Sequence, residues 1–573
     1  MKHLRLLSAL FLAACGGSEV QEVSYVSTLE MSGIALCTPP PTADTLWYTQ
    51  NKKAPLFKGL EGVEVKITTA NPEAQKYFNQ GLMLAYGFNH AEAARSFYEA
   101  TRQDPNCAMC YWGYAYVLGP NYNAGMEPDN FSRAYKAVQQ AKTHAGNATP
   151  KERALILALE KRYPAKVVED CSPNDMAYAD AMKKVHMAYP KDADIGTMYA
   201  EALMDLHPWD IWQKNGKPQP WTQEIMTTLQ QVMKQAPKHA GANHLYIHAT
   251  EASKNPGAAA TSAKLLETLV PGAGHLVHMP SHTYIRTGDY HAGTLANLRA
   301  VKADSMYTTT CHAQGAYPLA YYPHNYHFLA ATATLEGNSS LAMKSALKMA
   351  AHVHPDVMSQ PGWETLQHYY TIPYNVAVKF GLWDEVLRMP QTDTSLIYPQ
   401  AIKHYANGMA YLGKNNLAGA KAELAKLKTI SSKPALKEMT IWGINSMHDI
   451  TEIAHRVLQG SILAKEEKYP QSIKLLREAV EIEDNLNYNE PPDWFFSVRH
   501  HLGPVLLLAQ QYNGAVAVYE QDLQNLPRNG WALNGLAQAH KALGNKTKAE
   551  QAQKAFEQAW QWSDTELVAS RVK

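Results

Sequence analysis

From about residue 70 almost to the C-terminus, apolar side chains recur every three or four residues, in stretches broken by short runs of Gly, Asn and Pro. That spacing puts the apolar positions on one helix face, so the pattern predicts helices nearly throughout, joined by tight turns. Residues 16–68 differ. They mix Ser, Thr, Pro and Val with little helical period and read as a tether and extended segment. Ahead of them, Lys2 and Arg5 precede an apolar run from Leu6 to Ala14 that is too short to span a bilayer. No other stretch reaches 18 apolar residues, so the remainder is expected to be soluble.

The helical stretches repeat. With position 1 at Ala74, residues Gly81, Ala93, Phe97, Ala100 and Pro105 fall at positions 8, 20, 24, 27 and 32. Counted from Phe496, Gly503, Ala515, Tyr519 and Pro527 take positions 8, 20, 24 and 32. Units from Ala401 (Gly408, Ala420, Leu424), Ile453 (Gly460, Leu476, Ala479) and Gly530 (Ala537, Ala549, Phe556) keep the register. Small residues let two antiparallel helices approach, an aromatic ring fills the gap, and proline ends the pair. One pair cannot bury its apolar face alone, so neighbours stack. The pattern resembles the tetratricopeptide repeat. The resemblance implies an all-α fold, a superhelical α-solenoid of about a dozen helix pairs over residues 69–570. It also implies a peptide or protein partner in the concave groove, the usual role of such arrays.

Two central units carry chemistry. One begins at Ala240 and the next at Gly274, a shift of 34 residues. His244 and His248 of the first become His278 and His282 of the second, each pair an H-x-x-x-H at positions 5 and 9. A third unit, from Pro323, places His327 at position 5 and His324 at position 2, where the second has His275. Glu251 is at position 12 of the first unit and Arg286 at position 13 of the second. An earlier unit counted from Ala193 places Glu201 at position 9 and Asp205 at position 13. Positions 2, 5, 9 and 12 are three or four apart and share one helix face. In tetratricopeptide arrays that face lines the concave groove. The 84 residues from His244 to His327 hold nine of the chain's 24 histidines, against about 3.5 for an even spread, and seven of the nine lie on this face.

Neutral imidazole is a common ligand for Zn, Cu, Fe and Ni. Two H-x-x-x-H helices side by side offer a four-nitrogen set. The candidate metal ligands are therefore His244, His248, His278, His282, His324 and His327, with Zn, Cu or Fe as the candidate ions. Glu201, Glu251, His275, Arg286, Cys311 and His312 are candidates for further ligands or for groups around the site. An open coordination position would lower the pKa of a bound water. Glu251 or Glu201 then suits a general base, and Arg286 a carboxylate or phosphate holder. The same histidines also suit a groove for an organic ligand, or plain packing. The H-E-x-x-H form of metalloproteases is absent.

Pro280 lies between His278 and His282, so the helix there is expected to kink or to begin only at Pro280, and Pro373 occupies the same register position in a unit from Gln367. The step from Gly274 to Pro323 is 49 residues, 15 more than one period. This insertion contains Cys311 and His312, ends at Tyr321 and Tyr322, and is expected either to add ligands, to cover the cluster, or to form a surface loop. His500 recurs at position 5 of the Phe496 unit, several repeats away, and reads as groove lining. Glu490-Pro491-Pro492-Asp493-Trp494 just before it reads as the start of a helix.

Composition and charge narrow the partners. Lys and Arg number 53 and Asp and Glu 52. Loss of the first 14 residues removes two cations, so neither nucleic acid nor an anionic membrane surface is favoured as a partner. The start ends in Leu12-Ala13-Ala14-Cys15-Gly16, which resembles the lipobox of bacterial lipoproteins. That resemblance implies a signal peptide at 1–14, lipidation of Cys15, a tether over 15–68, and a place in the cell envelope, on the outer membrane facing the periplasm. Export would put Cys37, Cys107, Cys110, Cys171 and Cys311 in an oxidising compartment. Cys107-x-x-Cys110 has no βαβ setting, and reads as a structural disulfide or two buried thiols.

The segments Gly241–His248, Pro271–His282, Tyr322–Asn325 and Pro491–Trp494 resemble those of a group of bacterial tetratricopeptide-repeat proteins. This implies the fold over most of the chain and no activity. The sequence therefore points to a lipid-anchored repeat protein whose histidine-rich groove binds a ligand, a transition metal above all. The alternatives are a metal-dependent periplasmic enzyme in the same groove and a metal-free scaffold for protein partners.

Overall fold

The computed structural model describes residues 45–572, apart from 63, 128, 167, 169, 312–316, 354, 391, 392 and 394; for 45, 46 and 309–311 it describes the backbone alone. The signal segment, Cys15, Cys37 and His312 lie outside the described residues, as does the side chain of Cys311.

Helices follow one another along the chain and pair antiparallel with their neighbours, as in Pro72–Tyr86 with His90–Gln103 and Gly530–Ala542 with Lys546–Ala559. Local chemistry sets their starts. Asn71 Oδ1 accepts from the backbone N–H groups of Glu73 and Ala74, with Pro72 as the first helical residue. Thr149 and Glu152 form a reciprocal capping box ahead of Pro150–Glu160. The small–aromatic register is physical: a Cβ added at Gly81 would meet the Phe97 ring at 2.9 Å, and one at Gly503 would meet Tyr519 at 2.2 Å. The fold is an all-α, tetratricopeptide-like solenoid. The only strands among the described residues are two antiparallel ribbons, Thr440–Ile441 with Asn445–Ser446 and Leu567–Val568 with Arg571–Val572. Among the described residues no helix is long and apolar enough to cross a membrane.

Residues 45–68, expected to belong to the tether, lie against the repeats instead. Ala54 accepts a hydrogen bond from the Tyr77 hydroxyl at 3.0 Å, and Thr68 donates through N and Oγ1 to Glu152, each at 2.7 Å. Both ends of the solenoid return to its middle. Gly272 N–H donates to the Gly59 carbonyl at 2.9 Å, in a contact so close that a Cβ on Gly272 would sit 2.5 Å from the Lys58 carbonyl oxygen. From the other end, Trp531 Nε1 donates to the Thr334 carbonyl at 2.9 Å and the Tyr290 hydroxyl to the Pro527 carbonyl at 2.8 Å. His244, His248, His275, His278, His282 and His327 are buried, where the repeat pattern alone implies an open groove.

Cys107 and Cys110 are joined in a disulfide at the start of the helix Ala108–Tyr116, and Cys171 is a half-buried free thiol.

Candidate metal centre

The helix Ala240–Glu251 presents His244, His248 and Glu251 on successive turns. The next first helix is interrupted. Gly274–His278 carries His275 and His278, Met279 keeps helical dihedrals, and Pro280 opens Pro280–Thr287, which carries His282. Proline has no N–H for the Leu276 carbonyl, which is the cause of the break. The expected interruption is present, with His275 and His278 on a helical turn and not on a loop. Tyr322–Leu335 contributes His324 near its start. His244, His248, His275, His278 and His282 are at most 1% exposed, and His324 is half-buried.

These side chains converge. Donor atoms lie within 4.8 Å of one another in three groups: His244, His248 and His275; His278, His282 and His324; Glu251, His282 and Glu490. The two histidine groups adjoin, with ring centres 5.4 Å apart for His248 and His282 and 5.6 Å apart for His275 and His278.

The hydrogen bonds fix the tautomers. His244 Nδ1 donates to the Tyr86 carbonyl at 2.6 Å, and His248 Nδ1 to Glu251 Oε1 at 3.0 Å. His278 Nδ1 donates to Asn297 Oδ1 at 2.7 Å. His282 Nδ1 faces Glu251 Oε2 at 2.5 Å and Glu490 Oε2 at 3.1 Å. With Nδ1 donating on His244, His248 and His278, the Nε2 of each of these three rings carries a lone pair. His244 Nε2 and His248 Nε2 have no partner, nor has either ring nitrogen of His275. His278 Nε2 and His282 Nε2 stand 3.0 Å apart and share one proton, the His282 imidazolium donating to the neutral His278 ring. A buried nitrogen left unpaired costs about 1–3 kcal/mol. A metal ion bound between His278 and His282 would take the place of the proton they share. Ligating histidines hold their second nitrogen in this way, on a carboxylate, a carbonyl or an amide oxygen. The donor set fits a transition metal that favours nitrogen.

The surroundings keep every ring of the two histidine groups but one neutral. Burial, and then the neighbouring imidazoles, put His244, His275, His278 and His324 well below the ordinary histidine range. Burial also acts on His282, but Glu251 and Glu490 outweigh it and hold this ring up at about 9. Phe88 supplies much of the apolar wall, its ring centre 4.4 Å from His244, 5.5 Å from His275 and 5.8 Å from His248. It is placed there by a left-handed backbone (φ +55°), uncommon for a bulky residue. Phe328 closes the other side, 4.4 Å from His282 and 4.7 Å from His278.

Several candidates from the sequence stand elsewhere. His327 stacks on Phe495 and lies near His368, outside all three groups. Glu201 accepts from the Tyr116 hydroxyl, and its charged neighbours are Asp205 and Arg162. Arg286 does face a carboxylate, that of Glu490 at 3.9 Å. The inserted segment covers the cluster through Tyr321, whose ring is 5.1 Å from His275. His275, expected only at the margin, belongs to the first histidine group. Glu490, Asn297 and Phe88 were not foreseen. Asn297 falls at position 24 of its unit, where Phe97 and Tyr519 stand in theirs. A polar residue in that core slot was the available signal.

No protein-family model matches the chain, and no curated protein matches it either. Similar solved structures include the human IFIT1 dimer with m7Gppp-AAAA, at 12% identity over 86% of this chain and 91% of that one, with a TM-score of 0.31. The TPR domain of P58(IPK) is similar at 13% identity over 83% and 99%, with a TM-score of 0.20. Yeast Tom70 is similar at 10% over 84% and 92%, with a TM-score of 0.25. The fold assignment rests on the helix pairing above and not on these superpositions.

Proposed function

We propose that this chain is a helical-repeat protein that holds transition-metal ions, Zn, Cu or Fe, in its buried imidazole centre. The reading rests on one observation: His244 and His248 have Nδ1 pinned by an acceptor while their Nε2 lone pairs, and both ring nitrogens of His275 beside them, stand buried without a hydrogen-bond partner. His244, His248 and His275 form one ligand set, and His278, His282 and His324 the other, with Glu251 and Glu490 beside the second. The lipobox-like start supports a lipid anchor at Cys15 and a place in the bacterial envelope, on the periplasmic side of the outer membrane.

Elemental analysis of protein purified without a histidine tag tests this. One or two equivalents of Zn, Cu or Fe are expected, with less metal bound in both His248→Ala and His282→Ala and none in the double variant. A wild-type protein that takes up none of the three after repletion would refute the metal reading and leave a repeat scaffold for protein partners. Metal-dependent catalysis in the same centre requires an open coordination position, which X-ray absorption on the loaded protein reads directly.

A further inference from the structure

The late repeats enclose a second chemical cluster, which shares no residue with the imidazole centre and is built differently. A cavity of about 420 Å³ lies among the helices Thr365–Lys379, Ile397–Gly413, Met447–Lys465 and Arg499–Leu508, closed on one side by Arg571–Val572. Lys379, Lys465, His500, His501 and Arg571 line it, and among the described residues no Asp or Glu does. The remaining wall is largely apolar and includes Trp383, Met409 and Leu412.

Lys379 is positioned with care. His500 Nε2 donates to Asp522 Oδ2 at 2.8 Å, so His500 Nδ1 is left to accept from Lys379 Nζ, also at 2.8 Å. Asn529 Nδ2 steadies the same Asp522 oxygen at 3.0 Å. Lys379 Nζ lies 3.8 Å from the centre of the Trp531 ring, in cation–π range. The ammonium is thus fixed by an imidazole and an aromatic face, with its carboxylate one residue removed. Burial, and with it the Arg571 charge, pushes Lys379 well below the ordinary lysine range, against the pull of Asp522. Two cations that feel each other's charge, lining a cavity without an acid among the described residues and with one oily wall, are relieved by an anion that brings its own apolar body.

We propose that this cavity binds a small organic oxyanion, its carboxylate or phosphate head on Lys379 and Arg571 and its body against Trp383, Met409 and Leu412. Titration calorimetry on the full chain with hexanoate, hexyl phosphate and inorganic phosphate tests it. At least one hexyl ligand is expected to bind about tenfold or more tighter than inorganic phosphate, because buried methylenes add to the head contact. The tighter of the two names the head group. Arg571 is exposed, so Arg571→Gln should fold normally and weaken binding about tenfold. Lys379→Met should do the same, and Trp383→Ala should erase the advantage of the hexyl chain. Three results overturn the proposal: no binding of any probe at millimolar concentration, inorganic phosphate binding as well as both hexyl ligands, or unchanged affinity in folded Arg571→Gln. The titration is run with and without chelator, so its outcome does not depend on the metal centre.

Discussion

Glu251 has both carboxylate oxygens engaged by imidazoles, His248 Nδ1 at 3.0 Å and His282 Nδ1 at 2.5 Å. Glutamine keeps the shape but offers one accepting oxygen, so one ring loses its anchor and its fixed tautomer. Glu251→Gln is expected to weaken metal binding by about 10–100-fold, the usual effect of losing such a support, as measured by competition with a chromogenic chelator. Affinity within a factor of about two of wild type would remove Glu251 from the centre. A second carboxylate reports on stability alone. Burial would raise Glu423, but hydrogen bonds from His404 Nδ1 at 2.6 Å and Lys426 Nζ at 2.8 Å outweigh it and hold the acid down at about 2, against an ordinary 4.5. The folded state therefore binds the proton less readily than the unfolded state. The resulting stabilisation is complete above pH 4.5 and disappears as pH falls toward 2. Glu423→Gln should lower the thermal midpoint at pH 7, with the deficit shrinking steadily as pH falls from 4.5 toward 2. An equal deficit throughout would assign the loss to packing.

At the scale of the element, the register of small and aromatic residues does measurable work. Tyr519 packs between Gly503 and Gly535, which would place an added Cβ at 2.2 and 2.1 Å from its ring. Gly503→Ala is expected to cost about 1–3 kcal/mol by overpacking, read from urea denaturation, and Tyr519→Leu in the same chain should restore part of it. A neutral Gly503→Ala would mean that the helix pair is looser than it stands here. This register was legible in the sequence, because a repeat imposes the same steric demand at the same interval. So were His244, His248, His278, His282 and His324, which share one helix face. The interruption at Pro280 was legible too, since it follows from a missing N–H. Glu490 was not. It sits 208 residues beyond His282, on a segment whose prolines read only as the start of a helix. His327 was misplaced because register fixes a face and not the way a ring turns, and here it turns toward Phe495.

Across the whole molecule, the return of both ends to the middle was the feature least open to sequence reading. It depends on small rotations summed over many repeats, and no single unit encodes it. It has an energetic corollary. The centre draws on Tyr86 at one end of the described chain and Glu490 near the other. An ion bound there ties distant repeats together. Metal at about 100 times its Kd should add about 2.7 kcal/mol to global stability, and calorimetry should show one transition moving upward as a whole. An unchanged midpoint in metal-loaded protein would break that link. The unequal burial of the two imidazole sets then bears on traffic. Of the six rings, only His324 meets solvent, so if both sets hold ions the set containing it would be the doorway and His244, His248 and His275 an inner chamber. An ion in that inner set would leave only when the repeats part, its residence time a property of the fold's breathing, whereas one at the doorway would be released at the pace of ligand exchange.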